Sequence, residues 1–222
     1  MDVSALVVGA VLCMGAVLAV VIPFAIVAQR REKARQQALA LWATQHEWQV
    51  VPKPHVDWGR RLPGGNKRGV SLALSGVVGG RPVTIAEYSY TTATTTNGTT
   101  STTTHHFVLH VVVLREPMPT VAVYRRGGMS KLGRALFGDK ATALGYEPFD
   151  RVYRVSAADP RLVRSVLLPA LVTEHVAGRL PDWSLQGREL LSFRTGRIDD
   201  PATIPAELAP LVRVADLIEN RG

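Results

Sequence analysis

The order of apolar and polar positions divides the chain at Ala28. Val3 to Ala28 is a run without a charged residue, and Arg30, Arg31, Lys33 and Arg35 follow at once. As helix the run reaches about 39 Å, more than the roughly 30 Å hydrocarbon core of a bilayer. It reads as a membrane anchor over 1–29 with a basic collar. Beyond it the period shifts. Residues 30–47 repeat at three and four, with Leu39, Trp42 and His46 on one stripe beside Ala38 and Leu41, which predicts a basic juxtamembrane helix docking on the domain that follows.

From residue 48 the two-residue period of strands takes over. Trp48, Val50 and Val51 predict a short strand stopped by Pro52 and Pro54. Val70–Val78, the Gly79-Gly80 turn and Pro82–Tyr90 predict a hairpin. A second turn is set by Asn97-Gly98, a pair that accepts positive φ at both central positions. Ten of the fourteen residues from Thr91 to Thr104 are threonine. They form either an extended polar hairpin tip or a low-complexity loop. With Asn97-Gly98 as the turn, Tyr88 faces Phe107 and Tyr90 faces His105, sharing a side with Ala86 and Leu109. Ile85 with His110, Glu87 with Val108, and Ser89 with His106 fall on the other side.

Val111–Leu114 continues this strand, Pro117 and Pro119 predict a break, and Thr120–Tyr124 reads as a fourth strand of a meander. Ser130 is placed to cap a short basic amphipathic helix through Phe137. Phe149–Val155 alternates like a strand. Asp159-Pro160 supplies the N-cap and first-turn proline of a helix whose apolar face is Leu162, Val163, Val166, Leu167, Ala170 and Leu171, with a bend or shift at Pro169. Trp183–Leu185 and Glu189–Phe193 read as a last hairpin turning at Gln186-Gly187. Ile204, Leu208, Leu211, Val214 and Ile218 then line a closing helix interrupted by Pro205 and Pro210. The class that follows is α+β: an N-terminal transmembrane helix, then an antiparallel-sheet domain over 48–222 with two packed C-terminal helices.

Composition sharpens three points. The formal net charge is +8, but up to Val70 there are nine Lys and Arg against four Asp and Glu, so the basicity is mostly membrane-proximal. That pattern suits anionic lipid headgroups rather than nucleic acid, with no nucleic-acid partner expected, and puts the collar at the inner leaflet. The N-terminus then faces out and the domain faces the cytoplasm, anchored to the cell membrane by one pass. Asp2 and the length of the run argue against a cleaved signal peptide. The single cysteine, Cys13, lies within the run, so the domain has neither a disulfide nor a thiolate metal site. Ala5, Gly9 and Cys13, like Gly15 and Ala19, are spaced four apart, a stripe through which two such helices could form a homodimer.

Candidate chemistry is sparse. Gly76-Val77-Val78-Gly79-Gly80 lacks dinucleotide-loop spacing, and Gly64-Gly65-Asn66-Lys67 lacks the strand and hydroxyl residue of a phosphate loop. The one acid and histidine cluster is Glu87, His106 and His110, with Tyr88 nearby. His106 and His110 stand four apart on one strand, about 13 Å between α-carbons, which argues against a common metal; no metal and no cofactor are expected. The leading expectation is a non-catalytic cytoplasmic binding or scaffold domain with a protein or lipid partner. The rivals are an enzyme using Glu87, His106 and His110, and an envelope-binding module outside the membrane, which would require the basic collar to cross.

The stretch from Gly80 to Val123, with Arg81-Pro82-Val83, Glu87-Tyr88-Ser89-Tyr90, the threonine tip and His105-His106-Phe107, resembles uncharacterised single-pass membrane proteins of high-GC Gram-positive bacteria. Phe149-Asp150-Arg151, Asp159-Pro160 and Leu168-Pro169 add to it and resemble a wider bacterial membrane family known as a domain of unknown function. The resemblance implies an anchored cytoplasmic domain and brings no activity, substrate or functional residue.

Overall fold

The computed structural model describes residues 26, 27, 29–127, 141–157 and 159–219. Nearly all of the expected membrane span, and the whole basic helix expected after Ser130, lie outside the described residues. Among the described residues no helix is long and apolar enough to cross a membrane.

The chain forms two compact units, Met1–Trp42 and Ala43–Gly222. In the first, residues 29–42 are helical (α1), and Arg35 donates to both carboxylate oxygens of Glu32, at 2.7 and 3.2 Å. The second opens with a last helical turn over 43–45. It is stopped by Glu47 at φ 59°, where the Trp48 amide reaches back to the Ala43 carbonyl at 2.8 Å, a left-handed helix stop made without glycine.

The second unit is built on one antiparallel sheet of seven strands: β1 (Gln49–Pro52), β2 (Val70–Val78), β3 (Arg81–Thr96), β4 (Thr99–Arg125), β5 (Ala141–Thr142), β6 (Tyr153–Ala157) and β7 (Trp183–Thr195). The order is β1-β2-β3-β4-β6-β5, with β7 also on β4. The expected β3–β4 register holds at every pair from Val83 with Val112 to Thr96 with Thr99, so the threonine tip is a ladder. Asn97 and Gly98 have φ 51° and 78°, as a two-residue turn between right-twisted strands demands.

Three strand expectations need correction. Pro117 and Pro119 do not end a strand: β4 continues through them as a bulge. β7 stays along one edge of β4, from Thr195 opposite Phe107 to Trp183 opposite Val123, with register shifts around Met118. On the other edge β4 exchanges β3 for β6. The prolines sit where no ladder N–H is needed. The supposed hairpin at Gln186-Gly187 is absent for the same reason. Gly187, at φ 58°, faces Met118 across this irregularity, because positive φ serves a bulge as well as a turn. Phe149–Val155 is helix before it is strand. Residues Glu147–Val152 form α2, with Pro148 in the first turn. The Asp150 carboxylate accepts from the amides of Leu144, Gly145 and Tyr146 at 2.9, 2.8 and 3.0 Å, a local satisfaction of backbone donors that alternation alone does not reveal.

Asp159 does cap a turn, accepting from the Arg161 amide at 2.9 Å. The helix after it is split at Leu167–Leu168 into α3 (Val163–Val166) and α4 (Pro169–Val176), and Pro169 begins the second piece. On the expected apolar face Val163, Val166, Leu167 and Leu171 are buried, while Leu162 and Ala170 are exposed. The closing helix α5 (Ile204–Ile218) is continuous rather than interrupted. Pro205 occupies its first turn, where no donor is missed, and Pro210 is carried inside it by the burial of Leu208, Leu211, Val214 and Ile218.

The sheet therefore has two covered faces. Ala86, Tyr88, Phe107, Leu109, Val111 and Leu191 pack with Trp58 and Leu62 of the β1–β2 connection. On the opposite face α5 runs over β2, β3, β4 and β7. Arg81, 5% exposed, ties β3 to the end of α5 through Asp216 and Glu219, each at 2.7 Å.

Candidate functional site

The face beneath α5 carries the acid and histidine residues singled out from the sequence, and the structure gives each its own partner. Glu87 is buried and accepts the Ile198 amide at 3.1 Å. His106 receives the Arg197 guanidinium on Nε2 at 3.2 Å, and its carbonyl accepts the Gly196 amide at 2.9 Å. His110, also buried, lies between Glu207 (Nε2 to Oε2, 3.3 Å) and Ser192 (Nδ1 to Oγ, 3.4 Å). Because a carboxylate only accepts, the ring donates from Nε2, and Nδ1 meets the Ser192 hydroxyl. Glu207 further accepts from Arg194 at 2.8 and 3.0 Å and from Thr203 at 2.8 Å. The His110 hydrogen bond, with Arg194 and Thr203 adding to it against the opposing effect of burial, holds its carboxyl down to about 2. These contacts fasten the 196–207 segment to the sheet. The three residues do not converge on a common point, and among the described residues no group of three His, Cys, Asp or Glu is placed to hold a metal.

Of the collar, Arg30, Arg31 and Lys33 are exposed, whereas Arg35 is the residue joined to Glu32. The threonine ribbon projects beyond the sheet. The β2 and β7 ladders end at Tyr88 and Phe107, so from Thr91 to Thr104 the ribbon is exposed and paired only with itself. Thr91 meets Thr104 at 3.2 Å and Thr95 meets Thr100 at 3.0 Å through their hydroxyls.

A feature that sequence reasoning missed is the connection between β1 and β2. It is fastened at both sides of its course. Arg61, buried, donates from Nη2 to the Ser184 carbonyl (2.8 Å), the Ser184 hydroxyl (3.0 Å) and the Glu189 carbonyl (3.3 Å), and pairs with the Glu189 carboxylate at 3.4 Å. Burial lowers the pKa of Arg61, with Glu189 and Asp57 acting in the opposite sense. The Tyr88 hydroxyl donates to the Pro63 carbonyl at 2.6 Å and accepts the Asn66 amide at 3.0 Å. Gly59 and Gly69 permit this closeness: a Cβ at Gly59 would stand 2.1 Å from the Asn66 carbonyl oxygen, and one at Gly69 would stand 2.4 Å from the Tyr88 ring. Lys53 is held at φ 47°, a conformation rare for a side-chain-bearing residue and kept only where its surroundings enforce it.

The connection encloses one side of a cleft of about 680 Å³, completed by Val70, Ser71 and Glu189. Pro54, Val56 and Trp58 line it with apolar surface, and Lys53, Lys67 and Arg68 stand at it as exposed cations. In the sequence the only trace was punctuation, Pro52-Lys53-Pro54 and Pro63-Gly64-Gly65, because pinning by Arg61 and Tyr88 joins residues far apart in the chain.

No protein-family model matches the chain, and no curated protein is significantly similar to it. Its fold is similar to the crystal structure of the mycobacterial trehalose monomycolate transport factor A, TtfA, at 13% sequence identity and a TM-score of 0.51, over 82% of this chain and 92% of that one. The likeness is one of fold: the chain is an α+β protein of TtfA-like architecture.

Proposed function

We propose that the protein is a single-pass, membrane-anchored, non-catalytic binding module whose domain lies on the cytoplasmic side. In this role it serves as an accessory factor in moving an envelope lipid. The observation that carries the non-catalytic reading is the engagement of Glu87 by the Ile198 amide and of His110 by Glu207 and Ser192, which turns the one acid and histidine cluster into a fastening for the C-terminal segment. The transport role is supported by the fold likeness to TtfA. Arg30, Arg31 and Lys33 supply lipid attraction of about 1 kcal/mol each, and the threonine ribbon is the surface offered to a protein partner.

The test is genetic and topological. Removing the protein from its cells is expected to leave envelope glycolipid synthesis intact while slowing the appearance of glycolipid outside the membrane, and Glu87→Gln is expected to restore export. Loss of synthesis itself, or a stable Glu87→Gln protein that fails to complement, returns the enzyme reading. A C-terminal tag should resist protease until cells are permeabilised; cleavage in intact cells places the domain outside.

A further inference from the structure

The β1–β2 connection has no part in the proposed function, yet it is an irregular segment fastened at several points. Seventeen residues separate β1 from β2 with only two short 3-10 turns among them. A connection of that length inside a compact domain usually serves a function of its own. We propose that the cleft it forms is a binding site for an anionic amphiphile. The charged headgroup would lie against Lys53, Lys67 and Arg68, and the start of the apolar chain along Pro54, Val56, Trp58 and Val70.

Four observations converge on this. The cleft, at about 680 Å³, is of the size that takes small ligands, and its lining combines an apolar wall with a few charged groups, the composition such sites share. The charge is available. Among the described residues the side chains of Lys53, Lys67 and Arg68 have no hydrogen bond or ion pair, whereas the acid facing them, Glu189, is engaged by Arg61. Asp57 is the one further acid in the lining, leaving a surplus of positive charge. The site is preorganised, because Arg61, Tyr88 and the close contacts at Gly59 and Gly69 hold the connection without a ligand, so binding need not order it. Finally, Lys53 is kept at φ 47° at the cleft, a strained conformation of the kind that clusters at ligand clamps and other functional sites.

The apolar wall favours an amphiphile over free phosphate, which would gain nothing from Val56 or Pro54. Trp58, 7% exposed, leaves little ring surface on which a base could stack, which argues against a nucleic-acid strand. The proposal deepens the binding-module reading and rests on it for access to lipid, but the two fail separately, since topology and export are read in cells and the cleft is read in solution.

The test titrates the full chain, in micelles of a neutral maltoside, with lysophosphatidylglycerol brominated on its acyl chain, following tryptophan quenching. Brominated lysophosphatidylcholine, inorganic phosphate and a short single-stranded oligonucleotide are the comparison probes. The anionic lipid is expected to quench saturably, with a component that Trp58→Phe removes, and the zwitterionic lipid is not. Lys53→Ser/Lys67→Ser/Arg68→Ser should weaken that component by about tenfold or more, and Arg115→Gln/Arg161→Gln, at exposed cations outside the cleft, should leave it within about twofold. The three cleft cations are exposed, so circular dichroism should show the first variant folded. If Trp58→Phe fails to fold, calorimetric titration of the charge variants decides the matter. Equal quenching by both lipids, an unchanged affinity in the cleft variant, or displacement of the lipid by phosphate or oligonucleotide at comparable concentration would overturn the assignment.

Discussion

Mild acidification, from pH 7.5 to 5, should destabilise the domain through His175. It lies in the last turn of α4 with no exposed surface, against the rings of Phe149, Tyr153 and Trp183. Its Nε2 accepts the Trp183 indole N–H at 2.9 Å, so the neutral ring carries its proton on Nδ1, which has no hydrogen-bond partner among the described residues. Protonation would set a second donor against the indole N–H and place a charge in an apolar box. Burial, with a smaller contribution from Arg125, lowers the pKa from 6.5 to about 4. The folded value lies below the unfolded one, so the unfolded chain takes the proton first, and stability falls as pH drops from 6.5 towards 4 before levelling. The loss between pH 7.5 and 5 is about 2 kcal/mol, and about 3 kcal/mol in full. Urea unfolding across this range, followed by far-UV circular dichroism, should show that slope in the natural protein and a flatter one in His175→Gln, whose amide oxygen can still accept from Trp183. Equal slopes in the two proteins would refute the assignment of the acid response to His175.

Glu207 should act in a lower window. Its folded pKa of about 2 lies below the usual 4.5, so its contribution is present above 4.5 and is lost as pH falls towards 2. Its partial solvation reduces this to about 1–2 kcal/mol, and Glu207→Gln should remove the component from acid unfolding curves while leaving the step above pH 4.5. Arg61→Met keeps the aliphatic stem but deprives Glu189 and Ser184 of their donor; denaturant unfolding should show a loss of about 3 kcal/mol, with faster proteolysis between residues 53 and 69. Replacing Asn97 and Gly98 by alanine forces two side chains to positive φ, at about 1–2 kcal/mol each. Hydrogen exchange should lose protection in Thr91–Thr104 alone, because that ribbon pairs only with itself.

Much of the fold was legible along the chain, and each success has a local cause. Asn97-Gly98 set the β3–β4 register because its backbone freedom is a property of two adjacent residues. Asp159-Pro160 started a turn because cap and proline act within one turn. The failures at Pro117–Pro119 and Gln186-Gly187 share an opposite cause: residues that usually end strands were absorbed into one paired irregularity, visible only when β4 and β7 lie together. Phe149–Val155 misled because a period of two and a capped helical turn coexist in the same few residues, and the Asp150 carboxylate, by satisfying three amides, decides for the helix.

The candidate sites divide in the same way. From the sequence alone come the apolar run with its basic collar, the α+β class, and the placement of Glu87, His106 and His110 on one sheet face, all of them consequences of periodicity and charge. Their hydrogen-bond partners come from α5 and the 196–207 segment, which reach them from about a hundred positions away. The basic cleft belongs wholly to tertiary structure. Its cations are ordinary surface residues in the sequence, and only the long-range anchors Arg61 and Tyr88, by fixing an irregular connection against the sheet, bring them to a common apolar wall.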